Sequence, residues 1–424
     1  MKTKTKLSPR FWAALTLFSL IGQVAWVVEN MYFNVFIYKM FHASAQQISL
    51  MVASSAVAST VTTLLMGALS DKLGKRKIFI CGGYIAWGIS ILAFALIRTE
   101  WIGALNLCIT LTILLDCVMT FFGSSANDAA FNAWLTDATD DTNRGKIEGI
   151  NAMMPLVAIL VVFGGFMSLN QDLQESWTVI FCVIGAIVLA LGVAGFFLIE
   201  ERTVRSEENQ NYFANIFYGF RPSVIRANLP LYGTFLALAL FNISIQIFMP
   251  YLILYYQVSL GMEDYVLIFA PAIIAAAVFT GLYGKVFDQK GFRFAILPTL
   301  GLLAVGYVGL YFFRDTVKVF LSSLVMTCGY LGTGAMLGAQ IRCVTPVKKA
   351  GMFQGLRIIG QVLIPGVIGP AVGAAILSGA EMVANSDGTE SFVPNENIFL
   401  GALVALVITF VALIPLFKLL KKQR

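Results

Sequence analysis

GALSDKLGKRK, residues 67–77, lies between two long apolar segments, and a related stretch returns half a chain later. The second copy is GKVFDQKGFR, residues 284–293, in which glycine, aspartate, glycine and arginine keep the same mutual spacing. A repeat at half the chain length within an apolar sequence indicates a duplicated membrane unit. We expect the glycines to permit a tight turn and close helix approach, and the basic residues to hold each turn beside anionic lipid.

The composition is that of an integral membrane protein. Of the 424 residues, 58% are hydrophobic and 12% are charged, and the mean hydropathy is +0.81. These values exclude a soluble multidomain protein. No glycine-rich loop ends in Gly-Lys-Ser/Thr, so ATP hydrolysis is not expected to drive the protein. The scattered cysteines lack metal-like spacing, and neither a cofactor nor a metal is expected.

Twelve apolar segments are long enough to cross about 30 Å of hydrocarbon, which takes roughly 20 residues. Two six-helix bundles, residues 1–199 and 229–424, are therefore predicted, joined by a polar linker at 200–228. The segments lie near 11–38, 46–69, 78–97, 102–134, 146–168, 177–199, 229–257, 263–284, 294–313, 317–340, 351–379 and 397–417.

Lysine and arginine are distributed unequally between the two sides of these segments. Nearly all lie at the termini, in the linker and in alternate turns, including Lys2, Lys4, Lys6, Lys348 and Lys349. The opposite side has only Lys39, Arg98, Arg314 and Lys318. By the positive-inside rule, both termini and the linker are predicted to be cytoplasmic, in a multi-pass protein of the plasma membrane.

The repeat carries a family resemblance. Gly67, Asp71, Gly74 and Arg76 resemble the loop between helices two and three of the major facilitator superfamily, and the copy at Gly284 resembles its counterpart between helices eight and nine. The resemblance covers nearly the whole chain. It implies an all-α membrane protein, twelve transmembrane helices in two pseudo-symmetric six-helix bundles, that acts as an alternating-access transporter and not as an enzyme.

The charged residues near the repeats are predicted to form a cytoplasmic gate. The superfamily resemblance implies that Asp128, near the cytoplasmic end of the fourth segment, pairs with Arg76. No acid matches Asp128 in the second half, so the second gate should be looser. Arg357, within the eleventh segment, either joins the gate or extends to the interface. The gate candidates are Gly67, Asp71, Gly74, Arg76, Asp128, Asp288 and Arg293.

The first segment carries polar residues beside aromatic rings. Helical spacing places three amide side chains on one face, with Trp26 next to them. Such a surface suits a hydroxylated ligand, through hydrogen bonds and stacking. By the repeat spacing, the seventh segment should face it across a central cavity of segments 1, 4, 7 and 10. The substrate-cavity candidates are Gln23, Trp26, Asn30, Asn34, Asn242, Gln246, Tyr251 and Tyr255.

Glu29 and Asp116 are the candidates for carrying a coupling proton. An ionisable side chain inside a membrane segment costs several kcal/mol, so it indicates either function or a hydrogen-bonded structural role. A desolvated carboxyl group favours its neutral form and can take and release a proton as access alternates. The position that matches Glu29 in the seventh segment is Gln246, which cannot do so.

Residues 132–149 resemble the region between helices four and five of the glycoside–pentoside–hexuronide cation symporters and related sucrose carriers. This resemblance implies uptake of a sugar coupled to a cation. Sodium-coupled members carry paired aspartates in the second helix, where this chain has Ser54, Ser55 and Ser59, which favours protons over sodium. The expected partners are a small hydroxylated solute, protons and the lipid bilayer, with no nucleic acid, and the expected state is a monomer.

Two other functions stay open. A proton-driven efflux antiporter of drugs or lipids would suit the aromatic content of 13%. Drug antiporters of the superfamily carry a Gly-Pro signature in the fifth helix, whereas here Gly369 and Pro370 lie in the eleventh segment. A transporter-like sensor without flux is the third possibility, although it lacks a soluble signalling domain.

Overall fold

The structure, a computed structural model, describes residues 7–138, 143–200, 218–346, 350–385 and 387–422. Most of the predicted linker, the lysines at 2, 4 and 6, and those at 348 and 349 lie outside these ranges. Within them, twelve helices are long and apolar enough to cross a membrane, which confirms the predicted fold class. We call them spans 1 to 12: Pro9–Phe41, Ala45–Leu73, Lys77–Leu96, Leu105–Ala138, Gly149–Phe166, Gln174–Leu198, Leu229–Ser259, Tyr265–Lys290, Phe292–Phe312, Thr316–Val344, Gly355–Leu377 and Asn397–Lys421.

Local signals set where spans begin. Pro9 occupies the first turn of span 1, where it costs no hydrogen bond, and the Ser8 hydroxyl accepts from the Phe11 backbone N–H at 3.1 Å. Asp315 caps span 10 by accepting from the N–H groups of Val317 and Lys318 at 3.2 and 3.3 Å. Between such caps each helix satisfies its own backbone, because the hydrocarbon offers no hydrogen-bond partner.

Several spans widen locally into π-helical turns, in which an extra residue is accommodated. These lie at Val28–Tyr32 in span 1, Ser124–Phe131 in span 4, Tyr255–Ser259 in span 7 and Ile359–Leu363 in span 11. Short helices at Thr99–Ile102, Tyr218–Phe220 and Pro222–Ala227 connect spans. Between spans 11 and 12, strands β1 (Met382–Ala384) and β2 (Glu390–Phe392) pair antiparallel, with Val383 opposite Ser391.

The chain folds into two compact units. The first contains Met1–Ala43 and Val57–Ile216, and the second contains Ser44–Ala56 and Phe217–Arg424. Residues 44–56, the first half of span 2, thus group with the second unit, unlike in the predicted division at 199 and 229. In that unit the Tyr251 hydroxyl donates to the Ala45 carbonyl oxygen at 3.1 Å, and the Ala56 methyl group occupies the space beside Gly366.

The repeated glycines serve two different purposes. Gly74 and Gly291 occupy the turns after spans 2 and 8 with φ of 62° and 80°, a region that strongly favours glycine. The tight turns predicted from the motif are therefore confirmed. Gly67 and Gly284 lie inside helices, and a Cβ atom there would meet no atom within 4 Å. The predicted close helix approach at these two positions is wrong.

Candidate functional site

Two buried carboxyl groups lie together in the first unit. The side chains of Glu29 in span 1 and Asp116 in span 4 are 7% and 2% exposed. The Thr120 hydroxyl, one turn after Asp116, donates to Glu29 Oε1 at 2.9 Å, and Asp116 is close enough for its charge to act on Glu29. We call these three residues the acid pair site.

Two negative charges in the acid pair site would carry a high free-energy cost. A single ionised carboxyl group at membrane depth costs about 2.5–3.5 kcal/mol on insertion scales, and a second like charge nearby adds repulsion. Within the described part of the chain, Asp116 Oδ1 is buried and accepts no hydrogen bond. A proton on one of the two carboxyl groups would relieve this repulsion.

The wide turn at Val28–Tyr32 positions Glu29. Because a π-helical turn adds a residue, it rotates the side chains after it away from the ideal α-helical register. Asn30 is exposed and donates to the Trp26 carbonyl oxygen at 2.7 Å, whereas Asn34 is buried and donates to the Asn30 carbonyl oxygen at 3.0 Å. The single polar strip predicted on span 1 is therefore broken, and Asn34 faces the interior of the unit.

Trp26 and Trp87 form an aromatic pair next to the acid pair site. Their ring centroids are 5.0 Å apart, and Trp26 is half-buried, as is Gln23 one turn earlier. Span 4 approaches both rings at Gly123, where a Cβ atom would lie 2.8 Å from Trp87 and 3.0 Å from Trp26. Glycine is needed there because any side chain would displace one of the rings.

The candidates in span 7 divide into two groups. Asn242 and Gln246 are half-buried. Tyr251 and Tyr255 are 0% exposed, and their hydroxyls donate to backbone carbonyl oxygens, that of Tyr251 to Ala45 and Pro370 and that of Tyr255 to Leu310. The prediction that these two tyrosines line a cavity is wrong in this structure, because their rings and hydroxyls are used in packing within the second unit.

Glycines bring span 11 against span 7. A Cβ atom at Gly369 would collide with Gln246, and one at Gly373 would lie 2.7 Å from the Tyr251 ring. The Gly-Pro sequence at residues 369–370, which is similar to the drug-antiporter signature, therefore serves helix packing in span 11. Arg357, at the start of the same span, is half-buried and its Nε donates to Gln361 Oε1 at 3.3 Å.

Arg76 is the centre of a charged cluster at the ends of spans 2 and 4. It is 5% exposed and donates to Asp71 Oδ1 at 2.5 Å, to Asp137 Oδ2 at 3.0 Å and to the Ser70 hydroxyl at 2.6 Å. Burial by itself lowers the pKa of Arg76, but the hydrogen bonds and charges of Asp71 and Asp137 more than compensate, so its pKa lies above the ordinary arginine value. Arg76 therefore keeps its positive charge at physiological pH.

Asp128 does not take part in this cluster, so the predicted pairing of Asp128 with Arg76 is wrong. The acid that takes its place is Asp137, more than two turns further along span 4. Asp128 lies in the wide turn Ser124–Phe131, where it accepts from the Ser124 hydroxyl at 3.1 Å and lies close to Trp26. Asp128 and Asp137 are nine residues apart, which is about 13 Å along a helix. A side chain at Asp128 therefore cannot also occupy the position of Asp137 beside Arg76.

The second copy of the motif makes no matching cluster. Asp288 and Arg293 are both exposed, and neither forms an ion pair within the part of the chain that the structure describes. The Arg293 guanidinium instead lies 5.6 Å from the centre of the Phe417 ring. Of the two copies of the motif, only the first therefore forms a charged cluster among the described residues.

Comparisons with known proteins agree with this architecture. The family model of the Major Facilitator Superfamily matches residues 12–370. A search of curated protein sequences gave no match.

Three solved structures are similar over almost their whole length. A bacterial homologue of the human lysosomal transporter Spinster, inward-facing and unoccupied, has a TM-score of 0.75 at 15% identity, covering 99% of each chain. The nucleoside transporter NupG has a TM-score of 0.71 at 12% identity, covering 96% of this chain and 98% of its own. The xylose transporter XylE from E. coli has a TM-score of 0.68 at 14% identity, covering 95% of this chain and 98% of its own. Such low identities show a shared fold alone.

Proposed function

The chain belongs to the major facilitator superfamily, and from this premise we propose that it is a proton-coupled symporter of a small hydroxylated solute such as a sugar or glycoside. Membership makes it a secondary transporter and not an enzyme. The finer proposal, of proton coupling and solute class, depends on the residues of the first unit. We also propose that the protein is a monomer in the plasma membrane, with both termini on the cytoplasmic side.

The acid pair site is the observation that carries the proposal. Glu29 and Asp116 repel each other when both are ionised, and a proton bound between them removes that repulsion. Thr120 holds Glu29 through a hydrogen bond that either protonation state of the carboxyl group can keep, since a hydroxyl both donates and accepts. A site of this kind can bind and release one proton without unfolding the helices around it.

The aromatic pair supports a hydroxylated solute. Trp26 is half-buried, so part of its ring is left for a sugar ring to contact, and half-buried Gln23 and exposed Asn30 on the same span carry amide groups that can bind hydroxyls. Trp26 and Glu29 are one turn apart, so a solute on the ring would change the environment of the acid pair. The resemblance of residues 132–149 to the glycoside–pentoside–hexuronide symporters favours the same solute class.

Coupling follows if proton and solute favour the same state of the carrier. Each then raises the affinity for the other by the same factor, because binding free energies are reciprocal. In the transport cycle that we propose, both enter in one alternating-access state and leave in the other. A solute gradient would drive protons uphill, and a proton gradient would drive the solute.

A thermal-shift screen of sugars, nucleosides and hydrophobic drugs tests the proposal on purified protein. We expect a sugar or glycoside to raise the melting temperature more at acidic than at alkaline pH. Glu29→Gln should remove that pH dependence, whereas the matched change Glu100→Gln, at an exposed residue outside the spans, should keep it. Retention of the full pH dependence in Glu29→Gln would contradict the proton role. Stabilisation by drugs but by no sugar would replace the proposal with efflux.

A further inference from the structure

Polar side chains recur at every fourth residue along span 4, and two of them, Asp116 and Thr120, belong to the acid pair site. The first four, from Thr112 to Ser124, are buried. Asp128 is half-buried and Asn132 is exposed. The column thus runs from the interior of the first unit to an accessible end. Its members are Thr112, Asp116, Thr120, Ser124, Asp128 and Asn132.

The wide turn in span 4 keeps these residues on one side. Four residues of an α-helix advance roughly 40° past a full turn, so a column with this spacing would wind away from its face over 20 residues. A π-helical turn holds more than four residues, and its drift has the opposite sign. Because the π-helical segment begins at Ser124, it turns Asp128 and Asn132 back towards the line of Asp116 and Thr120.

Hydrogen bonds already join parts of the column. Thr120 is bonded to Glu29 at 2.9 Å. The Ser124 hydroxyl lies 2.9 Å from that of Ser59 on span 2 and 3.1 Å from Asp128 Oδ2. A hydroxyl has one proton, so when Ser124 donates to Asp128 it can accept from Ser59. The groups of other spans that interact with Asp128 among the described residues of the first unit include the Trp26 indole and the Tyr84 phenol, and neither carries a positive charge.

We propose that this column is a proton path and that Asp128 is its second proton-binding carboxyl group, about 18 Å of helix from Asp116. The inference rests on the proposed function, since it supplies the route by which the acid pair exchanges its proton. Glu29 gives its proton to the Thr120 oxygen, and Thr120 releases its own towards Ser124, one turn further along the helix, a transfer that requires one bridging water molecule. Ser124 takes that proton and gives its own to Asp128. Glu29 ends ionised and Asp128 ends neutral, with every hydroxyl restored.

Infrared spectroscopy of the purified protein tests the path without any solute, because a protonated carboxyl group has its own C=O stretching band. In a pH titration, Asp128→Asn should remove one titrating carboxyl band, while Asp128→Glu should keep a band at a shifted frequency. After a rapid pH jump, Ser124→Ala should slow protonation of the acid pair at least about tenfold, as loss of a proton-transfer group does. Ser124→Thr, which keeps the hydroxyl, should restore the rate.

Two control variants isolate the path from general damage. Ser125→Ala removes a hydroxyl from the next residue of the same wide turn, where it is bonded only to the Phe121 carbonyl oxygen among the described residues. Thr110→Val removes one from an exposed position of the same span that is outside the column, where it is bonded to the Asn106 carbonyl oxygen. Both should leave the rate unchanged. If Glu29→Gln abolishes a titrating band but Asp128→Asn and Ser124→Ala change nothing, the path is refuted and the proposed function stands. If neither Glu29 nor Asp116 titrates, both are refuted.

Discussion

Replacing Asp137 with asparagine should destabilise the protein more than the same change at Asp71 or Asp128. Asp137 and Asp71 both bind Arg76, but the Asp137 side chain is 18% exposed and that of Asp71 is 43% exposed. An exposed ion pair contributes about 0–1 kcal/mol, whereas removing one partner of a buried pair costs roughly 3–5 kcal/mol. Asp137 lies between these limits, so we expect a loss of about 2 kcal/mol, against less than about 1 kcal/mol for Asp71.

Asp128→Asn should have almost no effect on this cluster, because Asp128 makes no contact with Arg76 and the new amide oxygen can still accept from Ser124. Unfolding in detergent, followed by tryptophan fluorescence, ranks the three variants by their midpoints. A double-mutant cycle assigns the cause: in an Arg76→Gln background, Asp137→Asn should lose most of its effect. A larger loss from Asp128→Asn than from Asp137→Asn would refute the assignment of Asp137 as the partner.

The pH dependence of this effect follows from the raised pKa of Arg76. A group whose folded pKa is raised contributes stability that is fully present below its unfolded pKa and is lost only as pH rises through the folded value. For an arginine, that loss lies far above physiological pH. The midpoint difference between wild type and Asp137→Asn should therefore be equal at about pH 6 and about pH 9. Its disappearance by the higher pH would show that Arg76 is not the charge involved.

Three further predictions concern packing. Gly74→Ala should lower stability by roughly 1 kcal/mol, because residue 74 has a positive φ. Gly67→Ala, in an open helical position, should raise stability by about 0.5–1 kcal/mol. Thermal unfolding distinguishes the two variants. Gly123→Ala should cost about 1–3 kcal/mol by displacing Trp87, and tryptophan fluorescence should shift with the unfolding midpoint. Tyr251→Phe should cost about 0.5–1.5 kcal/mol, because it removes the one hydroxyl proton that the Ala45 and Pro370 carbonyl oxygens share, while leaving solute-induced stabilisation unchanged.

The fold was predictable because hydropathy is a local property. A helix that crosses hydrocarbon must carry about 20 apolar residues whatever its neighbours are, so the number and approximate bounds of the spans follow from the printed sequence. The turn glycines were predictable for a similar reason. Gly74 and Gly291 keep their spacing from the motif arginines, and a tight turn between antiparallel helices often requires a positive φ.

The partners of the buried charges were not predictable in the same way. An ideal α-helical register places Asn30 and Asn34 together and cannot foresee the wide turn at Val28–Tyr32 that separates them. The resemblance to the superfamily likewise suggested Asp128 as the ion-pair partner of Arg76. The family pattern gives the type of residue near the end of a helix, but it does not give the position of that residue along the helix axis. Asp137 was visible in the sequence, but only three-dimensional packing places it at the guanidinium.

The pseudo-symmetry of the repeat was the weaker guide for span 7. It matched Tyr251 and Tyr255 with polar positions of span 1, but the two spans differ in backbone: a tight 3₁₀ turn at Met249–Tyr251 precedes the wide turn of span 7. Such a bend takes the tyrosines out of the α-helical register, and both hydroxyls donate to backbone carbonyl oxygens of other spans, those of Pro370 and Leu310. Equivalent positions in a duplicated chain therefore need equivalent backbone before they share a role.

The wide turns themselves show where the two units have diverged. Within the described ranges each unit contains two of them, in spans 1 and 4 and in spans 7 and 11. A wide turn weakens local helical hydrogen bonding wherever it occurs. In the first unit each turn holds a carboxylate, Glu29 or Asp128. In the second unit the turns read YYQVS and IGQVL and hold no acid. Since a distorted backbone in both units cannot by itself explain the acids of one, we expect proton binding to be confined to the first unit and to survive substitutions in the wide turns of the second.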